Sequence, residues 1–237
     1  MKTNITCVIS CYNEAKNIPL LLKKIHKSKL HKKIKFIFIN NGSKDNSRSL
    51  IKIWSYKYKK VKFIDNLKDI GWGYGIKTGL KTNKNKIVGW THADMEYDIY
   101  DLKKVLKIIN SNKKYFYNTD NWIIKGQRIK RKFSKKIFSL FQSWICSIIL
   151  RKKLYEINAQ PVFFNSNQIK KWKKIPNGLE LDMFAYYNVL KNYGKEIRIN
   201  VEQKNRLHGT SSWNKSLFSK ISLSWRLLKS AIKIKYD

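Results

Sequence analysis

Acidic side chains are scarce in this chain. Asp and Glu number 15 among 237 residues, against 51 Lys and Arg, which leaves a formal net charge of +36 at pH 7. So positive a field favours polyanionic partners: nucleic acid, an anionic membrane surface, or a phosphorylated substrate. Cysteine is sparse too. Cys7, Cys11 and Cys146 cannot build a disulfide framework, and their odd number fits a reducing compartment, so a cytoplasmic location is expected. Cys7 and Cys11 have no Cys or His partners at zinc spacing and read as small buried hydrophobes. No uncharged apolar run reaches the roughly 18 residues that a membrane span needs. The best candidate, 137–150, is shorter and carries Gln142. The N-terminal apolar run has no small-residue cleavage site after it, so a signal peptide is not expected. What the chain does have is 43% hydrophobic and 14% aromatic residues, enough for a folded core and too much for disorder or a small stapled scaffold.

Through the first hundred residues, short apolar runs alternate with amphipathic ones, the pattern of βαβ units and a parallel sheet. Strands are expected at 5–10, 34–39, 61–64 and 86–90. Ile18, Leu21, Leu22 and Ile25 sit at helical spacing within 16–30, and a further helix is expected over 47–55. Between the third and fourth strands lies a glycine-studded segment, 71–79. The second half is less regular, with helices expected near 101–110, 134–150 and 180–193, and strands near 122–125, 161–164 and 196–201. There are no internal repeats and no long linker. The reading is one α/β domain over 1–215, an open and mostly parallel sheet flanked by helices, followed by a basic amphipathic helix over 216–237.

In an open α/β sheet, ligands bind outside the carboxyl ends of the strands. Three of those ends are polar: Ser10-Cys11-Tyr12-Asn13-Glu14, Asn40-Asn41-Gly42-Ser43-Lys44-Asp45, and Thr91-His92-Ala93-Asp94-Met95-Glu96. Each could be ordinary capping and turn chemistry. Their co-occurrence points to a site. In extended backbone His92, Asp94 and Glu96 would face one side, where such a trio could bind a divalent metal, Mg2+ or Mn2+, that neutralises a diphosphate. The other reading of this cluster is a solvated turn that starts the next helix with favourable charge.

Taken in order, Tyr12-Asn13-Glu14, Asn40 to Asp45, the glycines Gly71, Gly73, Gly75 and Gly79, and His92 to Glu96 resemble the family 2 glycosyltransferases. They are similar in particular to the polyprenyl-phosphate sugar transferases typified by dolichol-phosphate mannose synthase. The resemblance implies a GT-A fold, with a nucleotide half over about 1–100 and an acceptor half over about 101–215. It implies a nucleotide-diphospho-sugar donor, Tyr12 and Glu14 against base and ribose, Asn41 at the base-contacting position, Asp45 fixing that loop, and Gly71 and Gly73 beside the nucleotide. Asp94, with His92 and Glu96, takes the metal positions. The sequence departs from the family pattern in having His92 for the first Asp, Glu96 for Gln, and Asn40-Asn41 for paired Asp. Gly126-Gln127-Arg128 and Arg131 resemble the segment facing an acceptor phosphate, with Lys215 assigned the same role. The stretch from Arg206 to Lys215 resembles the segment closing over the nucleotide. The implied reaction is an inverting sugar transfer. A lipid-phosphate acceptor would need no general base, whereas a glycan hydroxyl would need one, for which Asp182 is the candidate.

The apolar and basic tail beyond Ser216 suits an interfacial helix on anionic lipid at the inner face of the cytoplasmic membrane, and 137–150 could supply a second contact. Packing of the tail on the domain is the alternative. A nucleic-acid-binding protein is the competing functional class. The charge is spread along the whole chain, however, and no zinc-finger, RNA-recognition or helix-turn-helix signature is present, so no specific nucleic acid is expected. A catalytically inactive nucleotide-binding relative is the third possibility.

Overall fold

The computed structural model describes residues 4–131, 133–209 and 217–236. Its first half is built from β1 (Ile5–Cys11), α1 (Ile18–Lys27), α2 (Leu30–Lys33), β2 (Lys35–Asn41), α3 (Ser47–Lys57), β3 (Val61–Asn66), α4 (Trp72–Lys81) and β4 (Ile87–His92). Then follow α5 (Leu102–Ser111), α6 (Lys113–Asn118), β5 (Trp122–Ile129), α7 (Phe133–Leu150), β6 (Val162–Asn165), α8 (Leu181–Leu190), β7 (Lys195–Glu202) and α9 (Leu217–Tyr236).

The strands form a single seven-stranded sheet in the order β3-β2-β1-β4-β6-β5-β7. β1, β2, β3 and β4 are mutually parallel, β5 and β7 are parallel, and β6 runs antiparallel to both of its neighbours. β1 is buried along its whole length, as expected of a central strand covered on both faces. One layer packs α1 and α5 on the sheet through Ile18, Leu21, Leu22, Ile25, Val105 and Ile109. The opposite layer packs α4, α8 and α9 through Ile76, Leu80, Phe184, Val189, Leu223 and Leu227. Each expected strand and helix has its counterpart.

The glycine-studded segment is a helix, α4. Gly75 and Gly79 fall one turn apart on the side facing β1, where a Cβ would come within 2.2 Å of Ser10 Oγ and 2.3 Å of Val8 Cγ1 respectively. Helix propensity alone disfavours these residues by about 1 kcal/mol each. Flush packing of helix on strand accounts for them. Cys7 and Cys11 are fully buried with their thiols pushed up by burial, as small core residues should be.

Candidate active site

β1 and β4 continue the parallel sheet on opposite sides of the point where the strand order turns back, so their carboxyl ends open a crevice on one edge. A cleft of about 740 Å³ lies there. Its walls include Tyr12 and Glu14 after β1, Asn41 at the end of β2, Asp69 and Gly71 before α4, and His92 and Asp94 after β4. Arg206 closes it from the segment beyond β7, and Ser222 and Arg226 reach it from α9.

Local sequence dictates how these groups are held. Asn13 takes a left-handed backbone, and its side-chain oxygen accepts the Lys44 N–H at 2.8 Å. In return, Ser43 Oγ, Ser47 Oγ and Asp45 Oδ2 accept the N–H groups of Asn13, Glu14 and Ala15 at 3.1, 2.8 and 3.0 Å. Asn13, Ser43 and Asp45 therefore lace the β1 and β2 loops to each other, and Asp45 also accepts the Ser47 N–H at 2.9 Å. Burial would raise the Asp45 carboxyl, but these hydrogen bonds outweigh it and hold the group below its ordinary value. Asn41 is buried, donating to Asp69 Oδ1 at 2.8 Å and to the Gly71 carbonyl at 3.2 Å. Gly71 has φ +116, and a Cβ there would meet the Asn177 carbonyl at 2.5 Å, so only glycine serves. Gly73 packs against the backbone of Asn177 and Gly178.

The acidic cluster differs from the expected strand alternation. β4 ends at His92, and Met95 is left-handed, so the chain turns there. Asp94 and Glu96 nevertheless converge, because both reach Arg206. Its guanidinium donates to Asp94 Oδ2 at 2.7 Å and to Glu96 Oε1 at 3.1 Å, and stands 3.8 Å from Glu14 Oε1. Gln203 holds the other Glu96 oxygen at 2.7 Å. The His92 ring stands against Trp72, with centroids 4.9 Å apart, and faces Tyr97 at 6.3 Å. Burial pushes Glu14 up to about 7, and the Asp94 charge adds to this, while its hydrogen bond from Asn17 and the nearby Arg206 oppose it.

Two carboxylates meeting on one cation form an oxygen donor set that suits a hard divalent ion. In this arrangement the cation is Arg206, and among the described residues no three His, Cys, Asp or Glu side chains are close enough to share a metal.

The acceptor-side assignments are placed elsewhere. Arg128 and Arg131 are both nearly buried on one carboxylate, Glu156, with Arg131 Nη1 at 2.8 Å from Glu156 Oε1. Neither is among the cleft-lining residues, although Gln203 connects Arg128 to Glu96. Lys215 lies outside the described residues. Asp182 is 1% exposed, and its oxygens accept from Trp90 Nε1 at 2.8 Å and Gln160 Nε2 at 2.8 and 3.0 Å. Burial raises its pKa, with the buried Lys125 ammonium opposing. Lys125 itself is pushed down to about 8 by burial and donates to the Ile157 carbonyl at 2.9 Å.

Five cleft residues were missed in the sequence: Asp69, Trp72, Gly178, Ser222 and Arg226. Asp69 carried a signal, as an acid two residues before the first glycine of the segment in a chain poor in acids. Arg226 carried none among so many cations.

The model of the family described as "Glycosyl transferase family 2" matches residues 6–165. This chain belongs to that family. Among curated relatives, the Bacillus subtilis (strain 168) protein CsbB, itself named as a glycosyltransferase, is 31% identical over 106 residues, which cover 44% of this chain and 32% of that one. A dolichyl-phosphate beta-glucosyltransferase of Trichomonas vaginalis is 25% identical over 113 residues, 45% of this chain and 34% of the relative. The match thus spans about a third of the length of either relative.

Among solved structures, the glucosyl-3-phosphoglycerate synthase of Mycobacterium tuberculosis in complex with Mn2+, UDP-glucose and phosphoglyceric acid superposes with a TM-score of 0.71 at 12% identity, covering 98% of this chain and 79% of that one. The mannosyltransferase PcManGT from Pyrobaculum calidifontis in complex with GDP-Man and Mn2+ gives 0.65 at 13%, covering 99% and 70%. Both likenesses show the fold of this family 2 chain, the GT-A arrangement.

Proposed function

We propose that the chain transfers a sugar, with inversion, from a nucleotide-diphospho-sugar to a membrane-associated acceptor in cell-surface glycan synthesis. The observation that carries this reading is a cleft at the carboxyl edge of β1, β2 and β4 that Tyr12, Glu14, Asn41, Asp69, Gly71, Asp94 and Arg206 line together. In the proposal, base and ribose occupy the β1 and β2 end, and the diphosphate lies by β4. Arg206 transfers its hydrogen bonds from Asp94 and Glu96 to the diphosphate, so that a guanidinium already desolvated in the cleft meets the leaving charge.

Asp94 and Glu96 are the oxygen donors that would hold Mg2+ or Mn2+, while the His92 ring stands against Trp72 and does not complete a trio with them. Such an ion supplies neutralisation of the charge that develops on the leaving diphosphate. The Mn2+ in the two neighbouring complexes supports this assignment.

A phosphate acceptor is favoured over a hydroxyl. It is ionised at neutral pH and requires no base, and Asp182, the candidate base, is buried under Trp90 and Gln160. Arg128 and Arg131 remain the proposed phosphate-facing pair, with one formal positive charge in excess of Glu156. The placement at the inner face of the cytoplasmic membrane belongs to this proposal as well.

Thermal unfolding with UDP or GDP, each with and without Mn2+, tests the reading, because a ligand that binds only the folded state raises its stability. An upward shift that needs metal and disappears in Asp94→Ala is the expected result. No shift by either nucleotide under any condition would remove the donor-site assignment.

A further inference from the structure

α7 and α9 are apolar on two faces. Their inner faces serve the core through Cys146, Leu150, Leu223, Leu227 and Ala231, all buried. Their outer faces need explaining. On α7, Phe133, Ile137, Phe141, Trp144 and Ile148 recur at helical spacing and are 49–78% exposed. On α9, Ile221, Trp225, Ile232 and Tyr236 do the same at 48–79%. The helices pack on each other, joined by the hydrogen bond from Gln142 Nε2 to Ser224 Oγ at 3.2 Å. At 18 and 20 residues they are about 27 and 30 Å long, so two exposed apolar stripes run along helices that pack side by side.

Charge decides what covers them. Neither helix contains a single Asp or Glu. Lys136, Arg151, Lys153, Lys229, Lys233 and Lys235 are exposed along and beside them. A second copy of a chain with net charge +36 would bring cation against cation. An anionic bilayer offers hydrocarbon to the stripe and negative headgroups to the rim. Trp144, Trp225 and Tyr236 have the amphipathic rings that settle at that boundary.

We infer that the outer face of α7 and α9 docks on an anionic lipid surface, with both helices lying in the headgroup layer. No helix among the described residues is long and apolar enough to cross a membrane, so this is attachment to one leaflet. The inference deepens the proposed function by naming the surface that presents the acceptor. Ile221 and Trp225 of the stripe are followed directly by Ser222 and Arg226, which line the cleft. The docked face therefore meets the mouth of the cleft along α9. An acceptor whose phosphate stands at the headgroup level is delivered there without leaving the bilayer, and Arg226 is the first cleft cation it meets.

Co-sedimentation with phosphatidylcholine vesicles, with and without about 30% phosphatidylglycerol, tests the inference at about 0.1 M salt. The whole chain should pellet with the anionic vesicles and remain in solution with the neutral ones. Phe141→Glu/Trp144→Glu should reduce pelleting by about tenfold or more, since two charges would enter the headgroup layer in place of two aromatic rings. Lys229→Glu/Lys233→Glu should weaken binding and flatten its salt dependence. Both positions are exposed, and the nucleotide-induced thermal shift of each variant reports whether the fold and donor site survive. Equal pelleting of wild type and the α7 variant would overturn the inference. So would a salt-stable dimer that dissociates on the same substitutions without any vesicle binding. If wild type binds vesicles but no nucleotide, the donor-site reading fails and the docking surface stands.

Discussion

Arg206 is the group on which the cleft balances, and removing it should have a calculable cost. In Arg206→Ala, Asp94 and Glu96 each lose a charge-assisted hydrogen bond, at 2.7 and 3.1 Å, and Glu14 loses a cation at 3.8 Å. A hydrogen bond to a charged group contributes about 1.5–3 kcal/mol, so the gross loss is about 3–6 kcal/mol. The Arg206 side chain is 20% exposed, and water and salt screen part of the interaction. The net expectation is about 2–3 kcal/mol, or a fall of roughly 5–10 °C in Tm for a chain of this size. Urea unfolding at pH 8, where Glu14 is ionised, is the assay. Arg206→Lys should recover only part of the loss, because an ammonium lacks the fork that spans two carboxylates. A double-mutant cycle with Glu96→Gln should return a coupling of about 1–2 kcal/mol. If Arg206→Ala costs under about 0.5 kcal/mol and the coupling is near zero, the guanidinium is not the counter-ion of this cluster.

Glu14 sets a pH dependence. Its folded pKa, about 7, lies above the ordinary 4.5, so the folded state holds the extra proton. The contribution is present below about pH 4.5 and is lost as pH rises through 7, amounting to about 2–3 kcal/mol. Glu14→Gln should flatten the unfolding free energy between pH 5 and pH 8 relative to wild type, within about 1 kcal/mol. An identical pH slope in both proteins would show that another group is responsible. Gly79→Ala should cost about 1–3 kcal/mol by urea unfolding, since its Cβ meets Val8 at 2.3 Å, and Val8→Ala should restore part of that loss. An undiminished loss in the double variant would place the strain elsewhere. Asp182→Asn should cost about 1 kcal/mol and leave transfer nearly intact, because Gln160, whose Oε1 lacks a partner, can reverse its amide to meet the new N–H group. Asp182→Leu strands the Trp90 and Gln160 donors and should cost about 3 kcal/mol. A steady-state rate for Asp182→Asn reduced a thousandfold, with the fold intact, would restore Asp182 as the base.

The strands were legible as short apolar runs, and most helices because their apolar residues recur at a period of 3.6. Ile18, Leu21, Leu22 and Ile25 declared the buried face of α1 outright. α4 was less legible, since Gly73, Gly75 and Gly79 weaken helix propensity, and only the proximity of Ser10 and Val8 explains them. α6 gave no periodic signal over its six residues. The strand-end polar clusters announced the cleft, yet partnership inside it was not readable. The positive φ of Met95 cannot be read from its neighbours, and it decides how Asp94 and Glu96 meet. Arg128 and Arg131 are assigned to an acceptor phosphate by resemblance alone. Their shared partner Glu156 lies 28 and 25 positions further along the chain, respectively, a pairing that no local pattern encodes.

The same charge balance connects the cleft to the docking face. In a chain with 15 acids, Glu14, Asp94 and Glu96 all stand around Arg206, whereas α7 and α9 have none. Under the proposed function these three acids stand where a cation, Arg206 or a metal, would be shared with a diphosphate, and acids are absent from the two helices where negative lipid would be met. This segregation predicts opposite salt responses. Vesicle binding, a long-range attraction of exposed Lys and Arg to headgroups, should fall steeply as ionic strength rises past about 0.1 M, where the screening length is near 10 Å. Nucleotide binding, carried by a partly desolvated guanidinium at contact distance, should fall less over the same range. Titrating both on one preparation separates them. Parallel decline of the two would mean that the nucleotide is held by the diffuse surface charge and not by the Arg206 cluster.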